Sequence, residues 1–163
     1  MIRTPIHLNL IPVVKVVVDL AQKNDNQVFI GIDPGKDKLG LALVDRSGRL
    51  IEKKIVKPEE TKSYLQDMTN KYDIKKIIVG DGTHSGKIKK LIIEMDLAPL
   101  LVMVDEKGST EKAERLYFKD NPPQGLRKIL ALFVSWSPSQ PVDDYAALVL
   151  VKEYLRNNEL LES

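Results

Sequence analysis

Between Val28 and Ile32 the chain is apolar without interruption, and it then meets Asp33, Pro34 and Gly35. An apolar run of that length closed by a Pro-Gly turn predicts a fully buried central strand over 28–33. A second strand is predicted over Leu39–Asp45. Arg46-Ser47-Gly48 turns it tightly into a third, Arg49–Val56. Pro58 opens a polar helix over 58–72. The segment Lys76–Gly80 is too short for a helix and rich in isoleucine and valine, which predicts a fourth strand. Gly82 to Gly86 forms a loop, followed by a helix over 86–96 and a fifth strand, Leu100–Asp105. A helix then starts at Ser109, with Ser109 or Thr110 as its N-cap and Glu111 and Glu114 in its first turns. Asn121-Pro122-Pro123 stops it. A less regular stretch, Gly125–Pro141, leads into a last helix over 142–157.

Three strands in hairpin order followed by two helix–strand units imply an α/β domain. Its sheet is mixed and five-stranded, antiparallel at the start and parallel thereafter, with helices on both faces. Residues 1–26 form an N-terminal extension ending in the polar run Gln22–Asn26, and pattern alone does not choose helix or strand for it. Residues 27–163 are expected to form the domain. A length of 163 residues with 43% hydrophobic and 29% charged positions suits one soluble globular unit. The segment IHLNLIPVVKVVVDL is broken by Pro12, Lys15 and Asp19 and is too short to span a bilayer. It also lacks a weighty basic region and a small-residue cleavage site, so a cytoplasmic protein is expected.

Charge and cysteine content narrow the chemistry. There is no cysteine, which excludes a disulfide framework and a thiolate zinc site. Residues 1–92 carry 17 Lys/Arg against 11 Asp/Glu, whereas 93–163 carry 8 against 12. That asymmetry fits a polyanion partner on one side and equally a lysine-rich solvated surface.

Asp33 is out of place in a buried strand unless something compensates it, because desolvating an unpaired carboxylate costs several kcal/mol. The compensator can be arginine, lysine or a metal ion. Further acids at equivalent places favour metal: Glu106 directly follows the fifth strand, and Asp143 opens the last helix. Parallel strands bring their carboxyl ends to one edge, where open α/β sheets bind ligands. Hard oxygen ligands favour magnesium or manganese over zinc. Carboxylates holding two such ions about 4 Å apart serve in-line attack of water on a phosphodiester. The D-x-G hairpin of strand one also occurs in actin-like sugar kinases, but those need two such domains and this chain has room for one.

The motifs DPG-x-x-x-x-G at Asp33–Gly40, Gly80 after strand four, Asp105-Glu106-Lys107-x-Ser109-Thr110-x-x-Ala113 and Asp143-x-x-Ala146-Ala147 together resemble the YqgF (RuvX) family, the RuvC-like branch of the RNase H fold. The resemblance covers about residues 28–157. It implies an RNase H-like fold and a metal-dependent nuclease, with Asp33, Glu106 and Asp143 as catalytic acids and ligands of Mg2+ or Mn2+, two ions in all. The implied partner is nucleic acid, structured RNA or branched DNA, with processing of the 16S ribosomal RNA precursor as the leading activity. A Holliday-junction resolvase and a non-catalytic nucleic-acid-binding protein of the same fold are the alternatives, and monomer or homodimer stays open. Lys36, Lys38, His84, Lys87, Lys107, Ser109 and Thr110 are candidate substrate contacts, and Lys89 and Lys90 extend the lysine track. Lys107, where the family has arginine, the loop Asp81-Gly82-Thr83-His84 and residues 1–26 depart from the family pattern. Trp136 reads as a core anchor, and Arg127 and Lys128 face either phosphate or water. Asp143 and Asp144 share the first turn of a helix apolar nearly all round. Asp143 lies on the face of Ala146, Ala147, Leu150 and Tyr154, and the resemblance falls on it.

Overall fold

The computed structural model describes residues 27–106, 108–122 and 142–159. Expectations for residues 1–26, for Lys107 and for 123–141 (Arg127, Lys128 and Trp136 among them) lie outside the described residues.

The central strand is β1, Gln27–Pro34, in a sheet ordered β3-β2-β1-β4-β5. Its antiparallel neighbour β2 is Leu39–Asp45, paired in turn with β3, Leu50–Val56. On the other side lie β4, Asp73–Gly80, parallel to β1, and β5, Leu101–Val104, parallel to β4. The mixed sheet and its strand order are those of an RNase H-like fold. Four helices complete the described residues: α1 Thr61–Lys71, α2 Ser85–Glu94, α3 Ser109–Asp120 and α4 Asp143–Glu159. Among the described residues no helix is long and apolar enough to cross a membrane.

Alternation along β1 divides the core. Val28, Ile30 and Ile32 point to one face, where they pack with Leu41, Leu43, Ile77 and Val79 against Leu65 of α1 and Ile88 and Ile92 of α2. The other face carries Ala42, Val44 and Ile78 under Ala147, Leu148, Leu150 and Val151 of α4. Gly31 and Asp33 share that second face. Helix α3 leans on α4 through Ala113, Tyr145, Ala146 and Val149.

Three local expectations need correction. Strand β4 starts at Asp73 rather than Lys76, because Asp73 and Ile74 pair with Gln27 and Val28 of β1, and the register shifts past Lys75, whose ammonium pairs with Asp73 at 2.8 Å. Pro58–Glu60 is a 3-10 turn, and the α-helix follows from Thr61. Helix α3 is capped by neither Ser109 nor Thr110. Gly108, with φ of 77°, takes the cap position, and no side chain bonds the free N–H groups there. A left-handed residue turns the chain sharply out of β5 into α3.

Candidate active site

Asp33 is partly exposed near the carboxyl end of β1, and its register partner on β2 is Gly40. That partner decides where the last helix begins. A Cβ on Gly40 would overlap the carbonyl oxygen of Asp143 and would stand 2.7 Å from the Asp144 nitrogen. A Cβ on Gly31 would overlap the Ala147 carbonyl oxygen. Two glycines on one sheet face therefore let the first turns of α4 lie directly on the backbone of β1 and β2. The helix thus delivers Asp143 beside Asp33.

Glu106 arrives from the opposite side. It follows β5, and its carboxylate lies over the end of β4: a Cβ on Gly82 would overlap Oε1, and one on Gly80 would stand 2.6 Å from Oε2. The Glu106 N–H donates to Asp81 Oδ1 at 3.3 Å, while the Asp81 N–H donates to the Val104 carbonyl at 2.9 Å. The Ser109 N–H donates to the Glu106 carbonyl at 2.8 Å. The loop after β4 and the start of α3 thus fix the backbone of Glu106 from both sides.

The three acids act on one another. Burial, then the charge of Glu106, then that of Asp143 push the Asp33 carboxyl from its ordinary 3.8 up to about 6. Among the described residues Glu106 Oε2 is buried without a hydrogen-bond partner. Asp143 Oδ2 is also buried, with the Lys38 ammonium 2.9 Å away as an ion pair that lacks hydrogen-bond alignment. Among the described residues no three acid or histidine side chains close tightly enough to ligate one ion as they stand.

Asp144 has separate work. It accepts from Lys53 Nζ of β3 at 2.6 Å and from its neighbour's N–H, Tyr145, at 2.9 Å. The same ammonium sits 3.7 Å from the centre of the Tyr145 ring, which meets Tyr117 of α3 edge-on. Sequence reasoning missed Lys53 and the seat at Gly40, since both depend on a helix more than eighty residues downstream in the chain.

The candidate substrate contacts are spread around this edge. Lys36 is exposed in the β1–β2 hairpin, and Lys38 in the same hairpin is drawn to Asp143. His84 is partly buried at the N-cap of α2, without a side-chain cap bond, and Lys87 is exposed in the first turn of that helix. Lys89 is exposed, and Lys90 approaches Glu94 at 3.7 Å. Thr110 is exposed, but Ser109 is only 4% exposed and turns inward.

Known proteins resemble this chain in sequence and, more distantly, in structure. A protein of Halothermothrix orenii described as "Putative pre-16S rRNA nuclease" is 25% identical over 141 residues, 78% of this chain and 93% of that protein. RuvC of Thermus thermophilus, solved with a Holliday junction substrate, is 16% identical with a TM-score of 0.49, covering 81% of this chain and 96% of that one. RuvC of the same organism in a separate structure gives 18% identity and the same TM-score, over 80% and 96% of the two chains. Those two superpositions are too distant to add to the strand order itself. The family described as Tex protein YqgF-like domain matches residues 27–119, which span β1 to all but the last residue of α3 and include Asp33 and Glu106. That match takes in more than half of the chain, which belongs to the YqgF-like domain family.

Proposed function

We propose that this protein is a divalent-metal-dependent nuclease of the cytoplasm that hydrolyses phosphodiester bonds in structured nucleic acid, foremost the precursor of 16S ribosomal RNA. The observation that carries the reading is the convergence of Asp33, Glu106 and Asp143 on the carboxyl edge of the parallel strands, with Asp33 pushed up to about 6 by burial and by the other two. Like charges gathered on a rigid frame call for a cation. The description of the Halothermothrix orenii relative as a pre-16S rRNA nuclease supports the choice of RNA substrate.

The donor set fits magnesium or manganese. It is all carboxylate oxygen, and Glu106 Oε2 is a buried oxygen without a partner among the described residues. Asp33, Glu106 and Asp143 would hold the metal; when bound, it supplies neutralisation of phosphate charge and activation of the attacking water. The chain's own contribution is placement. Asp33 is fixed by the central strand, Glu106 by the glycine-lined end of β4, and Asp143 by the seat on Gly40. The start of α2 lies at the same edge, where free backbone N–H groups and Lys87 favour phosphate.

The test is cleavage of 16S precursor fragments by the full chain in Mn2+ or Mg2+, beside a four-way DNA junction, with Asp33→Asn in parallel. Metal-dependent cleavage of the RNA that Asp33→Asn loses is the expected result. Undiminished cleavage by that variant at matched metal overturns the reading. Cleavage of the junction alone makes the protein a resolvase, and binding without any cleavage makes it a non-catalytic module.

A further inference from the structure

Lys38 of the β1–β2 hairpin loop and Lys53 of β3 meet two adjacent aspartates at the start of α4, and the two pairs are built differently. Lys53 and Asp144 are 24% and 14% exposed, hydrogen-bonded at 2.6 Å, with the ammonium also over an aromatic ring. Lys38 and Asp143 are 43% and 32% exposed, in contact at 2.9 Å but without hydrogen-bond alignment. The first pair holds the helix. The second only sets a charge beside a charge.

We infer that Lys38 is a built-in counter-ion of the acid cluster, displaced from Asp143 when a divalent cation enters, so that it sets the metal concentration at which the site loads. This rests on the metal-dependent activity proposed above. The hairpin fixes where Lys38 starts: Pro34 pairs with Leu39, and Gly35 packs so closely on the Lys38 carbonyl that a Cβ there would overlap it. From that fixed backbone a flexible four-carbon stem reaches Asp143, and an ammonium is a compact point charge free to leave along the same path. A half-exposed pair of this kind is held weakly, which suits a contact that must exchange. The ammonium offsets part of the repulsion among three carboxylates in the metal-free protein. On loading, the divalent ion takes over that role, and the released lysine stands at the rim where a phosphate would arrive.

The experiment is Mn2+ titration of the full chain without nucleic acid, followed by calorimetry and by the electron paramagnetic resonance of free Mn2+. Wild type, Lys38→Met, Lys38→Gln, Lys38→Arg and Asp33→Asn are compared. Lys38→Met and Lys38→Gln are expected to bind Mn2+ about 2- to 5-fold more tightly than wild type, the scale of a half-exposed ion pair, and Lys38→Arg to stay within the wild-type range. The same two variants should melt lower than wild type without metal and level with it at saturating Mn2+. Unchanged or weaker Mn2+ binding by both neutral variants overturns the counter-ion role while leaving the metal site intact, provided Asp33→Asn still abolishes binding. Absence of Mn2+ binding in wild type overturns the metal reading and this inference together.

Discussion

The two faces of the sheet are packed on different rules. Toward α1 and α2 the sheet presents Ile30, Ile32, Leu41, Leu43, Ile77 and Val79, all fully buried. Toward the first turns of α4 it presents Gly31, Gly40 and Ala42, met by the backbone of Asp143 and Ala147, and only farther along the helix do Val44 and Ile78 pack with Leu148, Leu150 and Val151. Large side chains keep helix and sheet apart and gather most of the apolar area removed from water. Small ones let backbone rest on backbone, which adds little burial but fixes position closely. The first face makes the domain stable, whereas the second places a carboxylate. Stability and placement are thus assigned to opposite sides of the same strand, β1.

Paired substitutions break that comparison most directly. Leu65→Ala in α1 empties a fully buried site, and truncations of this kind cost about 2–5 kcal/mol. Cleavage per folded molecule should be unchanged, since none of Asp33, Glu106 and Asp143 lies on that face. Gly40→Ala inserts one methyl group where the Asp143 carbonyl already rests, and overpacking costs about 1–3 kcal/mol. It should nonetheless lose most activity, because α4 must lift and carry Asp143 with it. Urea melts and cleavage rates at a temperature where both variants are folded check the inversion. A Leu65→Ala protein that loses as much cleavage per folded molecule as Gly40→Ala would show that placement is not confined to one face.

The placing face should also store repulsion. Asp33 keeps its proton up to about 6 in the fold and to its ordinary 3.8 in the unfolded chain. The folded state therefore binds that proton more tightly. Its contribution to stability is full below about pH 4 and is lost as pH rises through about 6. Asp33→Asn has no charge to gain, so in metal-free buffer at pH 7.5 it should melt higher than wild type, by on the order of 2 kcal/mol. The advantage should shrink as pH falls from 6 toward 4. Its cleavage should fall by more than about 100-fold, beyond what loss of a group supporting a metal ligand typically costs. Melting curves across that pH range decide the point; an Asn variant less stable than wild type at pH 7.5 would mean that Asp33 is compensated in the metal-free fold.

The sequence made the sheet legible because its strands are apolar runs punctuated by glycine and proline, and runs of that kind survive any tertiary context. The start of β4 was hidden because Asp73 and Lys75 flank a single isoleucine and look like loop, and only the pairing of Asp73 and Ile74 with β1 makes the segment strand. The cap of α3 was misread because Ser109 and Thr110 carry the usual capping side chains, whereas the turn out of β5 requires the positive φ of Gly108. Asp33 stood out since a carboxylate in a buried strand is anomalous by itself, whereas Glu106 and Asp143 joined it only through their place at the sheet edge and the family resemblance. What could not be read was the pairing of each acid. Lys38 with Asp143 and Lys53 with Asp144 join a hairpin loop and a strand to a helix far along the chain, and no local pattern announces either contact.

Asp143 and Asp144 give the finest form of the comparison, since one turn of helix faces both tasks. The Asp144 carboxylate is mostly covered, bonded to Lys53 and to the Tyr145 N–H. Asp144→Asn leaves the Lys53 ammonium partly buried with only the Tyr145 ring and weaker amide contacts, which should cost about 1–2 kcal/mol. For a chain of this size that is a fall of roughly 2–8 °C in melting temperature. Activity should persist, since the seat on Gly40 still directs Asp143 to the edge. Asp143→Asn removes a half-exposed pair worth at most about 1 kcal/mol and relieves repulsion on Asp33 at the same time. Its melting temperature should therefore stay within about 2 °C of wild type while cleavage is largely lost. Paired melts and cleavage rates read both quantities from the same preparations. If Asp144→Asn loses cleavage and Asp143→Asn loses only stability, the acid delivered to Asp33 is Asp144, and the Lys53 pair rather than the Lys38 pair is the one that must open.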